Sequence, residues 1–151
     1  MKMVAASKLK KAQDQAEASQ PYAKAIAGMM ARVAEGVIVG PGSPKLLIGT
    51  GKTDVHLLIV VTSDRGLCGG FNGNLSRSVI KQIKELQEQG KTVKIVCVGR
   101  KGYDVLRREY RDLIVENFVG ISGKAGMSFA DADQVTQFVL EQFENEEFDV
   151  C

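Results

Sequence analysis

Val55-His56-Leu57-Leu58-Ile59-Val60-Val61, followed at once by Thr62-Ser63-Asp64-Arg65-Gly66-Leu67-Cys68-Gly69-Gly70-Phe71-Asn72, decides the fold. The unbroken apolar run, rich in β-branched residues, reads as a strand buried on both faces. The polar, glycine-rich turn then gives way to a helical pattern over 72–89, with Leu75, Val79, Ile83 and Leu86 on one face and Gly90 as its stop. The alternation repeats downstream. Residues 92–98 predict a second strand, 101–110 a helix, and 113–118 a third, weaker strand. Ser128 is placed to cap a further helix, with Asp131 in its first turn and Phe129, Val135, Phe138, Val139 and Phe143 on its apolar face. Phe148-Asp149-Val150-Cys151 opens another apolar strand, and so short a strand predicts a truncated chain. Strands alternating with helices in this way predict an α/β fold: a Rossmann-like, mostly parallel sheet with flanking helices.

Upstream the composition changes. Residues 1–38 are rich in Ala, Met, Lys and Gln, which favours helix. Ala5, Leu9, Ala12, Ala16, Ser19, Ala23, Ile26, Met30, Val33 and Val37 follow one another at alternating spacings of four and three. That is the apolar seam of a coiled coil sustained over more than four heptads. Before Ile26 the seam is mostly Ala and Ser, so a partner helix has to approach closely and each layer buries little area. Pro21 lacks a backbone donor and predicts a kink or brief break. The bland alternative is a helix lying on the chain's own sheet, but a helix of this length outruns short strands at ~1.5 Å rise per residue. Without a mate, residues 1–38 are expected to fray, to fold back on the sheet or to pair with a neighbouring chain. Gly40-Pro41-Gly42-Ser43-Pro44 and Gly49-Thr50-Gly51 end the helix. The expected organisation is a coiled-coil helix over 1–38, a linker over 39–53 and a globular domain over 54–151.

Composition narrows the function. The chain has 151 residues, 44% hydrophobic and 25% charged, as ordinary globular proteins do. No run approaches the ~20 apolar residues of a membrane span, and the N-terminus lacks the apolar stretch of a secretory signal. Cys68, Cys97 and Cys151 are too few and too scattered for a disulfide framework or a zinc site, and suit a reducing compartment. The net charge of +2 hides a basic start (Lys2, Lys8, Lys10, Lys11) and a stretch over 131–149 with seven acids and no base. No aromatic residues interleave the lysines, which argues against nucleic acid. The basic tip suits an acidic protein partner.

Three features bear on chemistry. Gly49-Thr50-Gly51-Lys52-Thr53 has the tail of a phosphate-binding loop, but Leu46 stands where a glycine is needed and a strand follows in place of a helix. The turn over 64–72 joins a strand's C-terminal end to a helix N-terminus, where ligands bind in doubly wound sheets. With Val98-Gly99-Arg100-Lys101-Gly102 it offers an anion pocket, or else two tight turns on a scaffold that docks to proteins. Its spacing is not that of a dinucleotide fingerprint. Cys68 near a helix start has the setting of a nucleophile, yet His56, the single histidine, sits inside the first strand, so no general base is at hand. No catalytic constellation, metal site or cofactor site assembles from these residues.

Met1-Lys2-Met3-Val4-Ala5-Ala6-Ser7-Lys8-Leu9, Pro21-Tyr22-Ala23, the block over 62–72 and Gly99-Arg100-Lys101-Gly102, in this order, resemble the gamma subunits of rotary proton-translocating ATP synthases. The resemblance covers essentially the whole chain. It implies a non-catalytic central-stalk rotor subunit that transmits torque between a membrane proton-driven ring and a catalytic head. The implied partners are the alpha, beta and epsilon subunits, that ring, and the family's own C-terminal helix, which would pair antiparallel with residues 1–38. The family pattern begins further upstream and runs well past Cys151, so the resemblance implies truncation at both ends. It implies shaft contacts for Met1, Lys2, Met3, Val4, Ala5, Lys8, Leu9, Ala12, Ala16, Ile26, Met30 and Val33. It also implies foot loops carrying Asp64, Arg65, Gly66, Cys68, Gly69, Gly70, Arg100 and Lys101. The location implied is peripheral, on the cytoplasmic face of a bacterial inner membrane or the matrix side of a mitochondrial one. The alternative from another class is a small Rossmann-type nucleotide-binding enzyme using the turn at 64–72.

Overall fold

A computed structural model describes residues 2–36, 40, 42–121 and 128–151. The chain divides into two compact units, Met1–Ile48 and Gly49–Cys151.

The first unit contains helix α1, Lys2–Gly36, and the single turn α2, Lys45–Ile48. α1 runs through Pro21 as one helix, so the expected break is absent. Ser19, the polar member of the seam, turns its hydroxyl back to the carbonyl of Ala16 (2.9 Å) and is satisfied locally. Leu9, Ile26, Met30 and Val33 are exposed, between 38% and 61%. The helix is whole rather than frayed, and these apolar seam residues remain in water. The seam's last member, Val37, lies outside the described residues. α2 was not expected inside the linker. It starts directly after Pro44, whose carbonyl accepts from the amides of Leu47 (2.9 Å) and Ile48 (3.3 Å). Proline's fixed φ suits the entry to a helical turn.

The second unit is the predicted α/β fold. Strand β1 is Val55–Val61, helix α3 Phe71–Glu88, strand β2 Thr92–Val98, helix α4 Arg100–Leu106, strand β3 Ile114–Phe118 and helix α5 Phe129–Glu144, with a 3₁₀ turn at Arg111–Leu113. The three strands are parallel in the order β1-β2-β3. The register runs from Val55 opposite Thr92 to Val61 opposite Val98, and an irregularity after Ile95 shifts β3 along β2. On its other edge β1 meets Val150 in a parallel bridge through His56, with Leu57 N–H donating to the Val150 carbonyl (2.8 Å).

Both faces of the sheet carry packed apolar residues, which is why its strands read as continuous apolar runs, although Ile59 and Val61 of β1 stay exposed. Val60, Val93, Ile95 and Cys97 pack with Ile83 of α3 and Leu106 of α4. On the opposite face Leu57, Val96 and Val98 pack with Phe143 of α5 and with Phe148. The result is a three-layer arrangement with two helices on one face and one on the other. α5 begins with the expected cap: Ser128 accepts from the Asp131 amide, and the Asp131 carboxylate reaches back to the Ser128 N–H (2.7 Å). The Ser128 hydroxyl and backbone hold the Asp131 carboxyl below its ordinary pKa. The Asp149 carboxylate accepts from Val55 N–H (3.0 Å), Asp54 N–H (3.0 Å) and the Thr50 hydroxyl (2.8 Å), so the acid ahead of the Val150 bridge also ties down the entry to β1.

The turns after β1 and β2 interlock through Thr62. Its amide donates to the Val98 carbonyl (2.7 Å), and its hydroxyl accepts from the Gly102 amide (2.8 Å). Gly99 has φ 100° and ψ 142°, a region that side chains avoid, and a Cβ there would lie 2.0 Å from the Thr62 carbonyl oxygen. Gly99→Ala is therefore expected to destabilise the second unit by at least ~3 kcal/mol, from backbone strain together with the overlap. Urea denaturation followed by far-UV circular dichroism reads the loss.

Candidate functional site

The chain's most distinctive polar construction sits where the loops after β1, β2 and β3 converge. Asp64 sets it. Its carboxylate accepts from the backbone N–H of Arg100 (3.0 Å) and from that of Gly120 (3.1 Å), so one side chain joins all three loops. Ser63 adds a second tie, its carbonyl accepting from the Lys101 amide (3.1 Å). Asn72, in the first turn of α3, closes the β1–α3 loop on itself. Its Oδ1 accepts from Ser63 N–H (3.1 Å), and its Nδ2 donates to Ser63 Oγ (2.8 Å) and to Cys68 Sγ (2.9 Å). Ser63 Oγ in turn donates to the Arg65 carbonyl (2.5 Å).

The structure therefore brings Asp64, Arg65, Gly66, Cys68, Gly69 and Gly70 together with Arg100 and Lys101. A Cβ on Gly66 would lie 3.9 Å from Lys101 Cε, which marks how close the two loops come. Thr62, Ser63 and Asn72 do as much to build the site as the residues singled out from sequence. Much of their role rests on bonds to positions nine to forty residues away, which no local pattern announces.

The arrangement does not make an anion cradle. The Arg100 and Gly120 amides that a phosphate would use are already bonded to a carboxylate. The unit's apolar cleft, of about 330 Å³, is formed by Ile59, Val61, Val98, Ile121 and the face of α5 that carries Val135 and Val139. None of residues 62–72 reaches it, and its acid, Asp131, is engaged in the helix cap.

Cysteine chemistry finds no support either. His56 lies near the start of β1, its Nε2 3.2 Å from the Thr53 carbonyl, while Cys68 follows the end of that strand. Cys97 is fully buried, and burial pushes its thiol up to about 11. Among the described residues no cluster of three His, Cys, Asp or Glu could hold a metal, and no helix is long and apolar enough to cross a membrane.

The shaft residues stand on α1. Met3, Leu9, Ala12, Ala16, Ile26, Met30 and Val33 are exposed. Met1 lies outside the described residues, and Lys2, Val4, Ala5 and Lys8 are described only as helical backbone.

A family model for ATP synthase matches residues 1–151. The chain is 48% identical over its whole length to the ATP synthase gamma chain of Sinorhizobium medicae, covering 52% of that protein. It is 47% identical to the ATP synthase gamma chain of Sinorhizobium fredii, covering 51%. Among solved structures it resembles a chain of the central stalk and c-ring of the Tetrahymena thermophila mitochondrial ATP synthase. That likeness has a TM-score of 0.66 at 27% identity and covers 93% of this chain and 57% of that one. The chain spans about half the length of the curated relatives it matches.

The thiols give a direct check on the loop geometry. Ellman's reagent is expected to label exposed Cys68 within minutes, and Cys97 only once the chain unfolds. Labelling of Cys97 at the native rate of Cys68 would contradict the packing described.

Proposed function

This chain belongs to the ATP synthase family, and we propose that it is the part of a gamma-type rotor subunit that holds one shaft helix and much of the globular foot. In this reading α1 is one strand of the central shaft, and the second unit is the body that couples it to the membrane-side parts of the machine. The observation that carries the reading is a 48% identity, along all of this chain, to about half of a gamma chain, in a sequence whose long helix bears an exposed coiled-coil seam.

The physical logic follows from the helix. A shaft turning inside a ring needs stiffness and a slender profile. An Ala-rich seam such as Ala12, Ala16 and Ala23 lets two helices approach closely, and Ile26, Met30 and Val33 add larger layers toward the other end. The partners proposed are the alpha and beta subunits around the shaft, and the epsilon subunit and membrane ring at the foot. The second helix of the shaft would come from the same polypeptide. The chain makes and breaks no covalent bonds itself; rotation of an asymmetric shaft alters nucleotide affinity in the surrounding subunits in turn. Its place is peripheral, on the cytoplasmic face of a bacterial inner membrane, with the matrix face of a mitochondrial membrane as the alternative. The small nucleotide-binding enzyme is disfavoured, since Asp64 already occupies the amides such an enzyme would use.

Co-expression of the full-length protein with alpha and beta subunits tests the proposal. The chain is expected to co-purify with them, and ATP hydrolysis to appear in the complex and not in the isolated chain. Ile26→Asp with Val33→Asp should lower ATP synthesis by at least about tenfold, because a buried unpaired charge costs several kcal/mol. Hydrolysis by the isolated chain, or failure of the wild type to co-purify, would sink the reading.

A further inference from the structure

Leu113-Ile114-Val115-Glu116-Asn117-Phe118-Val119, the run that contains β3, has a single charged residue, Glu116, and five of the other six are apolar. Among the described residues β3 pairs with β2 alone, so no strand lies on its outer edge there. The opposite edge of the sheet is treated differently. There Val150 bridges to His56, and the Leu57 amide is taken by the Val150 carbonyl. An open edge of apolar, β-branched residues is a template on which another strand can add. Val115 and Val119, each 40% exposed, are only partly covered on this one.

The backbone fixes which groups face that edge. The Phe118 carbonyl accepts from the Gly99 amide (2.8 Å), so Phe118 points its backbone groups at β2. These groups alternate along a strand, so the Asn117 N–H points away from β2 to the outer edge. That N–H is already engaged: it donates to the Glu116 carboxylate (2.8 Å). One side chain thus closes the outward donor of the next residue with a charge-assisted bond, the stronger kind. A second obstacle stands one residue back. Ile95 pairs with Ile114 and Val96 with Glu116, which leaves Val115 as an extra residue, a bulge that bends the edge strand.

We propose that Glu116 is an edge guard: by taking the Asn117 N–H it keeps β3 from adding the β3 strand of a second copy of this chain. This goes beyond the rotor reading and does not need it. A second copy is the occupant held off because the edge complements itself. Two β3 strands set antiparallel about a twofold axis present the same apolar residues to each other. An incoming strand would have to pull the carboxylate off the amide and strip its water, and would gain one hydrogen bond in return. With an apolar residue at position 116 that cost vanishes, and the whole run is left without a charge.

The test compares the full-length protein with its Glu116→Val variant by sedimentation velocity over a concentration series. Both carry the same seam on α1, so only the difference between them reports on the edge. Glu116→Val is expected to self-associate at least about tenfold more tightly, with an unchanged far-UV spectrum. Hydrogen exchange at the Asn117 amide should slow by about tenfold as that variant associates, because strand pairing protects it. Two controls separate strand pairing from general stickiness. Glu88→Val places the same apolar group at an exposed site on α3 and should sediment as wild type. Asn117→Pro added to Glu116→Val removes the outward donor, which an edge strand tolerates, and should restore wild-type sedimentation. Association of Glu116→Val no tighter than wild type, or association that survives Asn117→Pro, overturns the proposal. Where Glu116→Val does not fold, Glu116→Ala, which removes the acceptor without adding bulk, is read in the same way and should associate to a smaller extent.

Discussion

An apolar seam along thirty-odd residues of helix has to be covered by something, and this one is left in water by the unit that carries it. Isolated helices gain little net stability from propensity, because nucleation is costly and each backbone hydrogen bond replaces one to water. Coverage of the seam is therefore what the helix depends on. Small residues toward the N-terminal end set how close a covering helix comes, and Ile26, Met30 and Val33 set how much area it buries. In the rotor reading proposed above, a second helix of the same polypeptide would cover it.

The second unit rests on a different logic. Helices pack on both faces of its parallel sheet, and its strand–helix turns are locked to one another rather than left open. Thr62 occupies the space beside Gly99 and Gly102, and Asp64 takes the amides at the starts of neighbouring segments. In many sheets of this architecture the corresponding turns hold a nucleotide. Here the same positions are filled by the protein's own groups, so the architecture serves as a rigid body. In the rotor reading proposed above, that rigidity would suit a body that carries torque.

Much of this was legible in the sequence. Strands 55–61 and 92–98 fall where the β-branched runs place them, and the Ser128 cap is where the spacing puts it. The helix expected over 101–110 stops at Leu106, because the residues after it turn toward the 3₁₀ segment at Arg111–Leu113 that feeds β3. Pro21 does not end α1, so helix-forming neighbours outweigh one missing donor there. The turn at Lys45–Ile48 is hidden by glycines and prolines on either side. The reach of Asp64 was illegible, since its partners lie 36 and 56 positions away and are backbone groups that carry no residue signature.

The central claim is that α1 is one member of a helix pair. Circular dichroism with sedimentation on a peptide of residues 1–38, over a concentration series, tests it most directly. The account predicts partial helicity at high dilution, rising when a peptide with a matching four–three apolar seam from the C-terminal part of a full-length relative is added. A peptide that is monomeric, fully helical at every concentration and indifferent to that partner would contradict it.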